Sequence, residues 1–180
     1  MRFELRIVTA RSQIMRTPTA AARKNDEDDY VTDWNAENAT MIALNGADAS
    51  IDGTGAEAKD GSVTITAPGT YVLSGKLNDG QIVVDVQDKE NVRLVLNGME
   101  LQSSDSAPIY IKEAGKAIIT LQEGTANTVS DGKTYVYPDA SADEPNAAVF
   151  SKADLTVNGT GALIVHGNYN NGIASKDDLK

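Results

Sequence analysis

Ser151-Lys152-Ala153-Asp154-Leu155 and Ser175-Lys176-Asp177-Asp178-Leu179 repeat serine, lysine, aspartate and leucine at one internal spacing, 24 residues apart. Equivalent positions on paired strands lie about 4.8 Å apart, so the repeat predicts Leu155 beside Leu179 and Asp154 beside Asp178. Two carboxylates so placed repel. Either a salt ladder with Lys152 and Lys176 or a bridging divalent cation relieves the repulsion. Asp177 brings another carboxylate to the same turn, and calcium takes roughly six to eight oxygen ligands. Asp143-Glu144-Pro145-Asn146 is a second acidic group, and Asn170 and Asn171 supply neutral oxygens that ligate calcium or cap a turn. The candidate metal ligands are Asp143, Glu144, Asn146, Asp154, Asn170, Asp177 and Asp178, with Ca2+ as the ion. Neither group has the ordered spacing of an EF-hand loop or a glycine-rich nonapeptide repeat.

Tyr135, Tyr137 and Tyr169 fall in or beside predicted loops, where a flat amphipathic ring packs against its own loop or stacks on a sugar face. With Lys152 and Lys176 they are the candidate carbohydrate-binding residues. His166 is the single histidine and has no serine or paired carboxylate at a catalytic spacing, so it reads as a strand-end residue. No nucleophile elbow, phosphate loop or zinc-protease helix is present, and no catalytic residue is assigned.

Composition narrows the partners. The 180 residues carry 26 acidic against 16 basic side chains, a formal charge of -10, which disfavours nucleic acid. Cysteine is absent, which removes disulfides and thiolate metal sites and leaves oxygen-ligated ions. No segment approaches the roughly 20 apolar residues of a membrane span. The segment Met1 to Arg16, broken by Arg2, Glu4, Arg6 and Arg11, lacks the apolar centre of a secretory signal.

The elements that must position these residues are short strands. Residues 1–38 show no sustained period and include the acidic run Asp26-Glu27-Asp28-Asp29, which reads as a disordered leader or linker. From residue 39, segments such as Ser62-Val63-Thr64-Ile65, Gln81-Ile82-Val83-Val84, Val92-Arg93-Leu94-Val95-Leu96 and Ala117-Ile118-Ile119-Thr120-Leu121 alternate with Gly, Asn and Asp. Ile82, Ile109, Val149 and Ile173 open equivalent units, with a polar insertion over 134–146. Units of this length predict an all-β single-stranded parallel β-helix, a solenoid over 39–180. The last coil reads as incomplete, making this the N-terminal part of a longer domain.

Gly69-Thr70-Tyr71-Val72-Leu73-Ser74-Gly75, Val92-Arg93-Leu94-Val95-Leu96-Asn97-Gly98, Glu123-Gly124-Thr125-Ala126-Asn127-Thr128, Asn146-Ala147-Ala148-Val149-Phe150-Ser151-Lys152 and Gly172-Ile173-Ala174-Ser175-Lys176-Asp177-Asp178-Leu179 occur together. They resemble the β-helical carbohydrate-binding domain family typified by a clostridial cell-surface polygalacturonate-binding protein. The resemblance covers about 41–180. It implies a right-handed β-helix, calcium sites, an extracellular or cell-surface location, and affinity for acidic plant polysaccharide without hydrolytic or lyase activity. The expected function is calcium-assisted binding of polygalacturonate or a pectin-like polymer by a monomer. Two alternatives stand beside it: a pectate-lyase-like enzyme, for which Arg93 is the one arginine of the repeat region, and a purely structural surface solenoid or adhesin.

Overall fold

The computed structural model describes residues 26–180. Its strands are β1 (Ala39–Gly46), β2 (Ala49–Asp52), β3 (Ala56–Lys59), β4 (Ser62–Ile65), β5 (Gly69–Leu77), β6 (Gln81–Asp85), β7 (Val92–Gln102), β8 (Ile109–Glu113), β9 (Lys116–Leu121), β10 (Ala126–Ser130), β11 (Ala147–Ser151), β12 (Asp154–Gly159), β13 (Ala162–His166) and β14 (Asn171–Ser175). An eight-stranded sheet runs β12-β9-β7-β5-β1-β2, with β10 joining β7 to β13. A six-stranded sheet runs β14-β11-β8-β6-β4-β3.

The expected right-handed single-stranded parallel β-helix is corrected here. Both sheets are mixed, because β1 pairs antiparallel with β2 and β3 pairs antiparallel with β4, while the other pairs are parallel. The cause is turn chemistry. Asn45-Gly46 reverses the chain: Gly46 sits at φ +88° and the Asn45 N–H donates to the Asp48 carbonyl at 2.8 Å. Asp60-Gly61 does the same between β3 and β4 with positive φ at both residues, the backbone of a tight hairpin. A parallel return needs a longer crossover, which neither connection supplies.

The two sheets face each other across one apolar core, with Leu94, Leu96, Ile119 and Leu121 from one and Ile82, Val84, Ile109, Ile111 and Val149 from the other. Strand alternation places these side chains inward. Two strands are buried along their whole length. Every residue of β9 and of β11 is buried, so their outward faces must also be covered. Over β11 lies the loop 131–146, whose Tyr135 packs with Phe150 and Ala147. Over β9 lies the segment 26–34, within the described part (26–38) of the expected leader. It carries a 3-10 turn at Glu27–Asp29 and is bound to the sheet through side chains. Residues 1–25 of the expected leader lie outside the described residues.

Asn127 shows how the bent β7 is held. Fully buried, its Oδ1 accepts the Gly98 and Met99 N–H groups at 3.0 and 2.9 Å, and its Nδ2 donates to the Ala162 carbonyl at 3.1 Å. Asn127→Ala leaves these groups without partners, at a cost of about 1–3 kcal/mol for each one that stays buried. Urea denaturation of the variant is expected to show a loss of about 3 kcal/mol.

Candidate functional site

The six-stranded sheet sets the register that builds a row of cations. Ile111 of β8 pairs with Ser151 of β11, which pairs with Ser175 of β14. The Lys152 N–H donates to the Ile111 carbonyl and the Lys176 N–H to the Ser151 carbonyl, both at 2.9 Å. Lys112, Lys152 and Lys176 therefore leave three adjacent parallel strands at one level, about 4.8 Å per step, and all three are exposed. The serines explain the repeat. The Ser151 hydroxyl accepts the Ala153 N–H at 3.1 Å and donates to the Ala153 carbonyl at 2.6 Å, and Ser175 bonds the same carbonyl at 2.9 Å. Such local serine bonds fix the turn after each lysine.

The row is unevenly neutralised. Lys112 pairs with Asp85 at 2.6 Å, and Lys176 pairs with Glu144 of the loop. The Asp85 carboxyl is held below its ordinary range by the Lys112 ammonium, and the Glu144 carboxylate holds Lys176 above its own.

The loop also organises the tyrosines. Tyr135 stacks on Tyr169 with ring centroids 4.2 Å apart and planes 15° apart, and Tyr137 is tilted against Tyr135 at 6.2 Å. The Tyr135 hydroxyl donates to buried Asp131 at 2.7 Å; burial, then this bond, pushes its phenol above the usual range. Asp131 also takes the Asn168 N–H on one carboxylate oxygen and the Asn168 amide on its carbonyl, tying the loop to the turn that carries Tyr169. The Tyr137 hydroxyl donates to the Pro145 carbonyl at 2.7 Å. Tyr169 keeps one face on Tyr135 and remains 39% exposed. A rigid ring is thus presented beside the lysine row, since Glu144 links the loop to Lys176.

The acidic residues enter local bonds of the two turns and the loop. Leu155 pairs with Leu179 as the repeat predicts. Asp154 Oδ1, however, accepts the Asp178 N–H at 3.2 Å, so this carboxylate caps the next turn. Asp177 is exposed, with its N–H on the Ser175 hydroxyl at 3.2 Å. Asp143 and Asn170 are exposed, Asn146 offers its backbone carbonyl to the Asn171 N–H at 3.3 Å, and Glu144 is taken by Lys176. Among the described residues, no three aspartate, glutamate or histidine side chains form a group that could hold a metal ion.

His166 lies on β13, and Arg93 is committed elsewhere, donating to the Val31 carbonyl at 2.6 Å and to Thr120 at 2.8 Å on the other sheet. Lys112, Asp131 and Asn168 were not expected as site residues. Lys112 was recoverable from Ile109-Tyr110-Ile111-Lys112, which aligns with the units holding Lys152 and Lys176.

Residues 59–180 match the family described as carbohydrate-binding domain-containing protein. A relative with that description from Acetivibrio thermocellus is 42% identical over 131 residues, 73% of this chain and 45% of its own length. A solved structure, a gadolinium derivative of a polysaccharide lyase-like protein from C. thermocellum, superposes with a TM-score of 0.76 at 39% identity, covering 78% of this chain and 57% of that one. The chain thus spans about half the length of these relatives.

Proposed function

We propose, from the premise that this chain belongs to the carbohydrate-binding domain-containing protein family, that it binds an acidic plant polysaccharide such as polygalacturonate without cutting it. The observation that carries this reading is the row Lys112, Lys152 and Lys176, set by the pairing of Ile111, Ser151 and Ser175. A polymer lying across the strands meets one ammonium per strand, and the ring of Tyr169 flanks its path. The binding rests on lysine charge and ring stacking, with the polymer encountered outside the cell or at its surface.

A second reading has one observation in its favour, the lyase-like description of the solved neighbour. Lyase chemistry needs a base beside the bound uronate. Arg93, the one arginine of the repeat region, serves the opposite sheet. Incubation with polygalacturonate is expected to leave the ultraviolet absorbance of unsaturated product flat; a steady rise would establish the lyase.

The proposal is tested by affinity electrophoresis through gels containing polygalacturonate. Tyr169→Ala is expected to weaken retention about tenfold, the equivalent of roughly 1.4 kcal/mol for a stacking ring, while Tyr169→Phe keeps it. Equal migration of wild-type chain in gels with and without the polymer would remove the acidic ligand.

A further inference from the structure

The outer face of the eight-stranded sheet, opposite the lysine row, holds a cleft of about 890 Å³ between the segment 29–34 and strands β9 and β12. Its size lies in the roughly 300–1,000 Å³ range of ligand sites. We infer that this cleft is a second binding site, for a neutral saccharide, with Tyr30 and Trp34 as stacking surfaces and Asp33 and Glu123 as acceptors for sugar hydroxyls.

The anchoring of the segment makes the cleft a fixed feature. The Asn158 amide donates to the Asp29 and Val31 carbonyls, both at 3.0 Å, and Arg93 adds a bond to Val31 at 2.6 Å. Below them, Asp29 is buried against Lys116, Lys180 and Thr156. A chain so tied could cover the sheet by laying its rings flat on it. Instead Tyr30 is 70% exposed and Trp34 is half-buried, with its indole N–H held by Gln122 Oε1 at 2.7 Å. That bond orients the ring and leaves the Gln122 amide N–H groups as donors. A ring held in advance of binding stacks on a sugar at small entropic cost.

Charge selects the class of sugar. Asp33 and Glu123 are exposed at the cleft, where carboxylates accept strong hydrogen bonds from hydroxyls and repel uronates. Of the cations nearby, Lys116 and Lys180 are spent on Asp29 at 3.0 Å each, and the Arg93 guanidinium is turned to the Val31 carbonyl and the Thr120 hydroxyl. The lysine face and the cleft therefore favour opposite ligands, an acidic polymer on one and an uncharged saccharide on the other.

Trp34 is the single tryptophan of the sequence, so the emission of the full chain reports this cleft. The chain is titrated with neutral β-1,4-linked hexasaccharides of glucose, xylose and mannose, with polygalacturonate as the charged counterpart. At least one neutral hexasaccharide is expected to shift the emission saturably, and Glu123→Ala and Tyr30→Ala each to weaken it about tenfold. Both variants are expected to keep wild-type retention by polygalacturonate. Glu123 lies outside the tied segment, so its variant tests the cleft even where Tyr30→Ala loosens that segment. The inference is overturned when no neutral hexasaccharide shifts the emission up to about 10 mM, weaker than any useful affinity. Unchanged titration by Glu123→Ala overturns it equally.

Discussion

Asp29→Ala is expected to lift residues 26–34 off the eight-stranded sheet and to destabilise the chain by about 3 kcal/mol. The side chain is 4% exposed and receives Lys116 and Lys180 at 3.0 Å, Thr156 at 2.7 Å and the Asp26 N–H within its own turn at 2.9 Å. Taking such a carboxylate out of water is costly, and only this full set of donors offsets it. Deleting it strands the Lys116 ammonium, whose side chain is 6% exposed, with Asp26 as its remaining described partner. Loss of one member of a buried pair costs about 3–5 kcal/mol, and the surviving Asp26 contact sets the lower figure. Urea unfolding measures the loss, and Trp34 emission shows the release. Replacing both members, Asp29→Leu with Lys116→Met, is expected to restore most of the stability, because no uncompensated charge then stays buried. A double variant as weak as Asp29→Ala would show that shape matters here more than charge.

Acid should act on the same anchor. Burial alone would raise the Asp29 carboxyl, but the Thr156 hydroxyl, the Lys116 and Lys180 ammonium groups and the Asp26 N–H outweigh it, and the net shift is downward. A carboxyl lowered in the folded state stabilises fully above its unfolded value, about 3.9, and loses that contribution as pH falls below it toward the folded value. Trp34 emission is expected to be flat between pH 5 and 7 and to change below about pH 4. In Asp29→Asn, that acid-dependent change is expected to be absent.

The sequence made some of this legible and hid the rest for identifiable reasons. Strand segments were readable where alternation meets glycine and asparagine: Ser62–Ile65 is β4 as expected, and Gln81-Ile82-Val83-Val84 falls in β6. Pairing of Ser151 with Ser175 followed from spacing alone. Strand direction did not, because Asn45-Gly46 is as good a corner as a hairpin, and the choice depends on the Asp48 carbonyl meeting the Asn45 N–H. The run Asp26-Glu27-Asp28-Asp29 has the composition of a solvated linker, and the residue that binds it, Lys116, lies 87 positions away from Asp29 inside an apolar strand. No local pattern announces that partnership. Asp154 and Asp178 were legible as neighbours, whereas the bond from the Asp178 N–H to the Asp154 carboxylate was not, since a carboxylate that caps a backbone N–H and one that binds an ion have the same sequence signature.

Neutralising the lysine row, in the variant Lys112→Gln, Lys152→Gln, Lys176→Gln, is expected to weaken polygalacturonate binding about a hundredfold. Each exposed ammonium facing a carboxylate contributes up to about 1 kcal/mol, and three in register sum to about 3, which is roughly two decades of affinity. The contributions should be unequal. Lys112 and Lys176 share their charge with Asp85 and Glu144, so Lys152→Gln is expected to cost more than either neighbour's substitution. Glu144→Gln carries the opposite sign: it frees Lys176 and is expected to tighten binding. Because these charges are solvent-exposed, raising salt from about 0.05 to 0.5 M should erase most of the difference between wild type and the triple variant. Retention of the triple variant at wild-type strength in low salt would mean the polymer lies elsewhere. Unaltered retention after Glu144→Gln, with the triple variant weakened, would place the contact on Lys112 and Lys152 alone.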